Sequence, residues 1–449
     1  MDLWLVIYVL LAFLSTCALL ASPYLRITSL GWFISIWCLP YLGALFFILT
    51  VVRARASDRN EAYCHLREGS DVQKTDTPFE HLGFDCNFLP YFSMGNSTIL
   101  KDDEFIRSVY LSIENARQRV WISTYILSGQ LKDEMIQRLT NAHERGVDVR
   151  LLVDRIGSGL FLAPNDSPLK NHDVPFQISV LYHSRIKSLL FMEKRLHSKI
   201  VISDEEAFVG AHNLRDEIES RHDENVHNVS LQFNGSVVNQ LVAVFCDLWQ
   251  MNSGEKINFQ EVEPERFQEE GGKPARIIFS DPIGRSHNYN RYLTILFHAA
   301  RARIYIWMPY VIPTQTMRNT IIAASKIGLD VRVLMPKKSD SALVDNAHSL
   351  VLKEFTDNGV NCAVSTGDFD HSKILIIDDL SVIGSTNLDY RSLYRNYEAN
   401  IEVNDKRFTQ SIIHLFNEKF SLAEPVEKCN KPLVVHMKNQ LTSLIAGLY

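Results

Sequence analysis

Two long uncharged apolar stretches open the chain, and beyond them apolar positions come only in short bursts. LWLVIYVLLAFLSTCALLA from Leu3 and SLGWFISIWCLPYLGALFFILTVV from Ser29 each have about the length that spans a bilayer, which predicts a hairpin of two transmembrane helices. Asp2 precedes the first run without any Lys or Arg, which argues against a cleaved signal peptide. Arg53, Arg55, Arg59 and Arg67 follow the second run, whereas the intervening loop carries only Arg26. The positive-inside rule therefore puts both ends of the hairpin, and all that follows, on the cytoplasmic side.

Past a polar tether the bursts change character. VRLLV and VRVLM are short, β-branched and apolar throughout, as strands covered on both faces by helices should be. They also come in pairs: ARQRVWISTYIL from Ala116 resembles ARARIYIWMPYVI from Ala300, and RGVDVRLLVD from Arg145 resembles KIGLDVRVLMP from Lys326. Each copy reads as helix, apolar strand, helix, apolar strand, then a strand headed by a histidine. The expected fold class is α/β, as two duplicated lobes of mixed sheet flanked by helices behind the N-terminal hairpin. The charged, Gly-containing stretch before Pro274 separates the copies as a linker. The organisation expected is hairpin 1–55, tether 56–90, first lobe 91–255, linker 256–274, second lobe 275–425 and tail 426–449. The tail spaces its apolar residues like a short amphipathic helix, suited to packing on a lobe or touching a membrane.

The histidine strands carry the candidate chemistry. RLHSKIVISDEEAFVGAHNLRDE from Arg195 contains His197, Lys199, Asp204, Gly210 and Asn213; FDHSKILIIDDLSVIGSTNLDYRS from Phe369 contains His371, Lys373, Asp378, Gly384 and Asn387 at identical offsets. With roughly a one in twenty chance of a match per position, coincidence is negligible. Side chains alternate along a strand, so each His and Lys share one face, while Asp204 and Asp378 fall on the other parity. That parity leaves the two aspartates open to a turn role, an orienting role or a direct part in catalysis. Eleven residues beyond each asparagine stand Glu224 and Glu398, candidates to hold the imidazoles in one tautomer, with Asp223 an alternative in the first lobe. His183, His212, His222, His227 and His348 have no partner across the repeat and read as surface or channel residues.

Composition changes this picture little. A hydrophobic content of 46% excludes wholesale disorder, and a net charge of −6 gives no global attraction to nucleic acid or anionic lipid. Seven scattered cysteines without a C-x-x-C pair suggest unpaired thiols and no zinc site.

The motif H-x-K-x-x-x-x-D-x-x-x-x-x-G-x-x-N, present twice, resembles the signature of the phospholipase D superfamily over residues 90 to 425. The resemblance implies two lobes sharing one active site and a phosphohistidine intermediate, with His197 as nucleophile and His371 as acid, then base. In such a scheme Lys199 and Lys373 are fixed cations for the non-bridging oxygens, Asn213 and Asn387 add N–H donors, and neither metal nor cofactor is required. The first motif reads GAHN where GSTN stands in the second, and Ala211 in place of a serine is expected to alter substrate contacts in that half. Together with the hairpin, the pattern resembles the bacterial cardiolipin synthases, which move a phosphatidyl group between two phosphatidylglycerols and release glycerol. The implied partners are phosphatidylglycerol, other anionic phospholipids and the membrane, with no nucleic acid. The implied location is a bacterial inner membrane, multi-pass, with cytoplasmic lobes. A membrane-anchored phospholipase D yielding phosphatidic acid, a tethered phosphodiesterase or nuclease, and a silent scaffold stay open as alternatives. Intact His, Lys and Asn in both copies oppose the scaffold, and the lack of a dense basic run opposes the nuclease.

Overall fold

A computed structural model of the chain describes residues 3–21, 36–37, 41–44, 82–83, 85–160, 174–181, 194–216, 226–257, 272–282, 286–339 and 342–426; of residues 3, 18–21, 286–287 and 342–343 the backbone alone is described. Residues up to Arg59 form one unit and those from Asn60 onward another.

In the first unit the opening apolar run forms helix α1 (Leu3–Ala21). Parts of the second run pack back on it: the Tyr8 hydroxyl donates to the carbonyls of Ile36 and Trp37, and Trp37 Nε1 donates to Thr16 Oγ1 at 3.1 Å. Among the described residues no helix is long and apolar enough to cross a membrane. Most of the second expected span, the tether, the linker and the tail lie outside the described residues.

The second unit holds both lobes. In the first, α2 (Asp103–Asn115), β3 (Arg119–Thr124), α3 (Gly129–Glu144) and β4 (Asp148–Asp154) follow the expected order. The histidine motif then runs into the hairpin β6 (Ile200–Ser203) and β7 (Glu206–Gly210). With β2 (Ser97–Lys101), β5 (Gln177–Leu181) and β9 (Val229–Asn234) these strands make a sheet in the order β2-β9-β7-β6-β3-β4-β5. Strands β3, β4 and β5 pair in parallel, and β6, β7 and β9 add antiparallel. The second lobe repeats that order as β17 (Glu398–Val403), β16 (Leu380–Gly384), β15 (Ile374–Ile377), β11 (Arg303–Trp307), β12 (Asp330–Pro336) and β13 (Asn361–Ser365). Strand β10 (Lys273–Ser280) extends it next to β17, and β1 (Phe92–Met94) pairs with β10, so a strand expected in the first lobe belongs to the second sheet.

Burial on both faces explains the uninterrupted apolar strands. The inner faces share one core, in which Ile200, Ile202, Val209 and Leu231 of the first sheet join Ile374, Ile376, Ala399 and Ile401 of the second, together with α4 (Val238–Ser253) and α9 (Lys406–Leu422). Separate cores lie outside each sheet, under α2 and α3 in the first lobe. In the second lobe α5 (Ser286–Ala299), α6 (Gln315–Lys326) and α7 (Ala342–Asp357) cover the outer face. A common core of this size makes the lobes one folding unit, which fixes the two motifs against each other. Cys86, Cys246 and Cys362 are buried and unpaired, as their scatter predicts.

Asp204 and Asp378 occupy the tips of the β6–β7 and β15–β16 hairpins. Both adopt the left-handed conformation, at φ 49° and 53°, which aspartate tolerates better than most residues. Asp204 accepts the backbone N–H groups of Arg117, Gln118 and Arg119 at 2.8 to 2.9 Å, and Asp378 those of Arg301, Ala302 and Arg303 at 2.8 to 3.0 Å. Each thereby pins its hairpin to the start of β3 or β11. Their placement corrects the expectation of a catalytic part: a strand separates each from its histidine, and their oxygens are spent on backbone donors.

Candidate active site

The histidines sit just ahead of β6 and β15, where each lobe lends backbone to the other. His197 N–H donates to the carbonyl of Tyr397 at 3.0 Å, and Tyr397 N–H to that of Arg195 at 2.8 Å. On the other side, β14 (Phe369–Asp370) pairs in parallel with β8 (Val226–His227), and His371 N–H donates to the carbonyl of His227 at 2.8 Å. The two clamps are related by the repeat. Gly210 faces Ser230 across its strands as Gly384 faces Asn400, so Asn228 occupies in the first lobe the position that Glu398 occupies in the second.

That equivalence decides what backs each imidazole. His197 Nδ1 lies 2.9 and 3.0 Å from the two carboxylate oxygens of Glu398, across the lobe boundary. The same carboxylate accepts from the Ser385 hydroxyl and from Asn396 Nδ2, so the buried charge is fully solvated by protein donors. His371 Nδ1 lies 3.0 Å from Oδ1 of Asn228, whose Nδ2 donates to the Val226 carbonyl. An amide thus stands where a carboxylate stands in the other half. Glu224, the candidate taken from equal offsets, lies outside the described residues, and the strand register assigns its expected position to Asn228. Ala211 also finds its explanation: the equivalent Ser385 hydroxyl serves Glu398 rather than substrate, and Asn228 needs no such donor.

Two lysines complete the centre. Lys199 Nζ donates to the His197 carbonyl at 2.6 Å and lies over the Tyr125 ring; Lys373 Nζ reaches both the His371 carbonyl at 2.8 Å and His371 Nε2 at 2.9 Å. Both lysines are buried. Burial pushes Lys199 down to about 7, and burial with the neighbouring Lys199 charge takes Lys373 well below the ordinary range. His197 falls to about 4, through desolvation above all and against the pull of Glu398. His371 also falls well below its usual value, through burial and then the Lys373 ammonium. Glu398 stays low despite its burial, because His197 and Lys199 favour its charge.

The two histidines line a cavity of about 320 Å³ between the lobes, together with Asn213 and Asn387. The buried Oδ1 atoms of Asn213 and Asn387 have no hydrogen-bond partner among the described residues, and Asn387 Nδ2 donates to Ser392 Oγ at 3.4 Å. Tyr125, Ile126, Tyr310, Ile312, Val344 and Phe369 give the cavity an apolar wall, and Arg195, Arg215 and Arg391 add cations to it. Behind His371, Asp102 of the first lobe accepts from His227 Nδ1 and from the Asn228 N–H, both at 3.0 Å. That hydrogen bond raises His227 above its ordinary value against the effect of burial.

His197, His371, Lys199 and Lys373 are all held below their usual ranges, by burial first, and the charge of an entering anion favours their protonated forms against that effect. Burial holds Lys199 down to about 7, so an anion that raises its pKa draws protons from solution near that pH. Sulfate binding near pH 7.5 is therefore expected to take up protons. Calorimetric titration in buffers of different ionisation enthalpy reads the number, and zero or negative uptake contradicts the proposed charge state.

The profile of the family described as "Cardiolipin synthase, PLD-like domain" matches residues 110–249 and 293–420, which is more than half of the chain and includes both motifs. The chain belongs to that family. Cardiolipin synthase A of Yersinia pseudotuberculosis is 29% identical over 317 residues, covering 68% of this chain and 65% of that protein. Cardiolipin synthase A of Yersinia pestis matches with the same figures. The match thus spans slightly less than two thirds of these relatives' length. The crystal structure of a phosphatidylserine synthase from Haemophilus influenzae superposes with a TM-score of 0.62 at 12% identity, over 83% of this chain and 100% of that one, which shows a shared fold.

Asn228, Ser385 and Asn396 were not among the residues singled out from the sequence. Asn228 could have been found only by aligning β9 with β17 through their strand pairing.

Proposed function

We propose that the protein is a membrane-bound phosphatidyltransferase that joins two phosphatidylglycerols into cardiolipin and releases glycerol. The observation that carries this reading is the composition of the cavity: two histidines for one phosphodiester, each with a buried lysine beside it, arginines in the lining, and an apolar wall of the kind a lipid glycerol backbone needs. Family membership supports the same class of substrate.

In the first displacement His197 Nε2 attacks phosphorus while His371 gives a proton to the departing glycerol oxygen. The asymmetry of the site supports this division of labour. Glu398 favours the positive phosphoimidazole that forms on His197, whereas an amide behind His371 leaves its imidazolium a stronger acid. Lys373 Nζ also lies 2.9 Å from Nε2 of His371 in the free protein, which engages the nitrogen that would otherwise be open to phosphorus. Lys199, Lys373, Asn213 and Asn387 hold the non-bridging oxygens as charge moves onto them. In the second displacement the hydroxyl of another phosphatidylglycerol gives its proton to His371, the new P–O bond forms and the P–N bond breaks. The apolar runs at the N-terminus serve as a transmembrane hairpin in a bacterial inner membrane with the lobes on the cytoplasmic side, so the acceptor arrives laterally while the intermediate is kept from water.

The bonds exchanged are of one kind, so the reaction is nearly isoenergetic and glycerol should reverse it. In mixed micelles with acyl-labelled phosphatidylglycerol, cardiolipin is expected to exceed phosphatidic acid, excess glycerol to suppress cardiolipin, and a chelator to leave the rate in place. Phosphatidic acid as the main product, with glycerol without effect, would replace the synthase reading by a phospholipase D.

A further inference from the structure

The repeat places equivalent residues two positions past each motif asparagine, and there the halves carry opposite charges. Leu214 and Leu388 bridge to Leu127 and Val311 in the same way, and the residues after them, Arg215 and Asp389, both line the catalytic cavity. A cation there suits phosphate. A carboxylate facing a site for anionic lipid does not, unless something in the substrate needs an acceptor.

Asp389 is built into its place. Its Oδ1 accepts the N–H of Ser392 at 2.8 Å, capping the short helix α8 (Tyr390–Tyr394), and the Arg391 N–H also favours its charged form. A carboxylate has about four acceptor positions, so capacity remains toward the cavity after two backbone donors. It belongs to the same lobe as His371, the group that protonates the departing alcohol, and it is close enough to Lys373 to act on its charge. The leaving and entering alcohols meet His371 in the cavity that Asp389 also lines.

We propose that Asp389 is the acceptor-selecting residue, taking a hydrogen bond from the second hydroxyl of a glycerol headgroup while the neighbouring hydroxyl exchanges at phosphorus. An ammonium headgroup also seeks a carboxylate, but it would meet Lys373 and the Arg215 and Arg391 lining of the same space. A polyol brings donors without charge. Burial agrees with a neutral partner, since desolvation raises Asp389 to about 6. The inference rests on the phosphatidyl transfer proposed above and adds the residue that chooses the alcohol.

The test is a competition for one intermediate. Acyl-labelled phosphatidylglycerol is supplied in micelles with equal concentrations of deuterated glycerol, 1-propanol and ethanolamine, and mass spectrometry reads the ratio of the phosphatidyl products. The wild-type protein should favour glycerol over propanol at least tenfold, and Asp389→Asn, which keeps the helix cap, should lower that ratio by about tenfold or more, the range for a hydrogen bond to a charged acceptor. The ratio is independent of how much activity or folded protein survives. An unchanged ratio in the variant, a wild-type ratio near one, or ethanolamine as the preferred acceptor overturns the assignment while leaving transfer intact. Wild-type protein that makes phosphatidic acid alone removes the transferase reading and the subsite with it.

Discussion

A quenched turnover of His371→Gln protein is expected to leave a phosphatidyl group on residue 197, whereas His197→Gln protein should carry no adduct and lose activity by about 10⁴-fold or more. The two losses differ in kind. Without His197 no P–N bond can form. Without His371 the attack still occurs, but the glycerol oxygen departs unprotonated and the entering alcohol keeps its proton, so a slowly formed intermediate persists. The structural basis is the difference in what stands behind each ring: a carboxylate 2.9 Å from His197 Nδ1 and an amide 3.0 Å from His371 Nδ1. Peptide mass spectrometry after a denaturing quench distinguishes the outcomes. An adduct on His371 in the His197→Gln protein would invert the roles.

Much of this site was readable before any fold was known, for a local reason. His197, Lys199, Asp204 and Gly210 lie along one tight hairpin, as do His371, Lys373, Asp378 and Gly384, so spacing in sequence equals spacing in space. The conserved offsets fail where the chain leaves the hairpin. Twenty residues separate Gly210 from its strand partner Ser230, but sixteen separate Gly384 from Asn400. Counting to Glu224 therefore lands four residues short of the position that backs His371. The α/β character and the order of the principal strands were also legible, because strands buried on both faces have no polar positions to confuse the pattern. The crossing of β1 into the second sheet and the exchange of Tyr397 and His227 carbonyls between lobes were not. Those contacts join residues far apart in sequence and leave no periodic trace.

The second large effect follows from the same pair of positions. Glu398→Gln keeps the size and the acceptor for the Nδ1–H of His197 but removes the charge that stabilises the phosphoimidazole, and kcat should fall by about 10²- to 10⁴-fold, as when the carboxylate behind a catalytic histidine is made an amide. Asn228→Asp does the opposite to His371. A carboxylate at that distance raises the pKa of an imidazole by about 1 to 3 units, so the acid becomes weaker and the limb of the pH–rate profile that reports it moves up. The new charge would also be less well solvated than Glu398, since Ala211 offers no hydroxyl where Ser385 does. Combining the two substitutions exchanges the backing of the two rings, and the covalent group should then be found on His371 as well as, or instead of, His197. A double variant whose adduct stays on His197 alone, or a Glu398→Gln protein within threefold of wild-type kcat, would mean that the roles are set by the position of the lipid in the cavity and not by the groups behind the histidines.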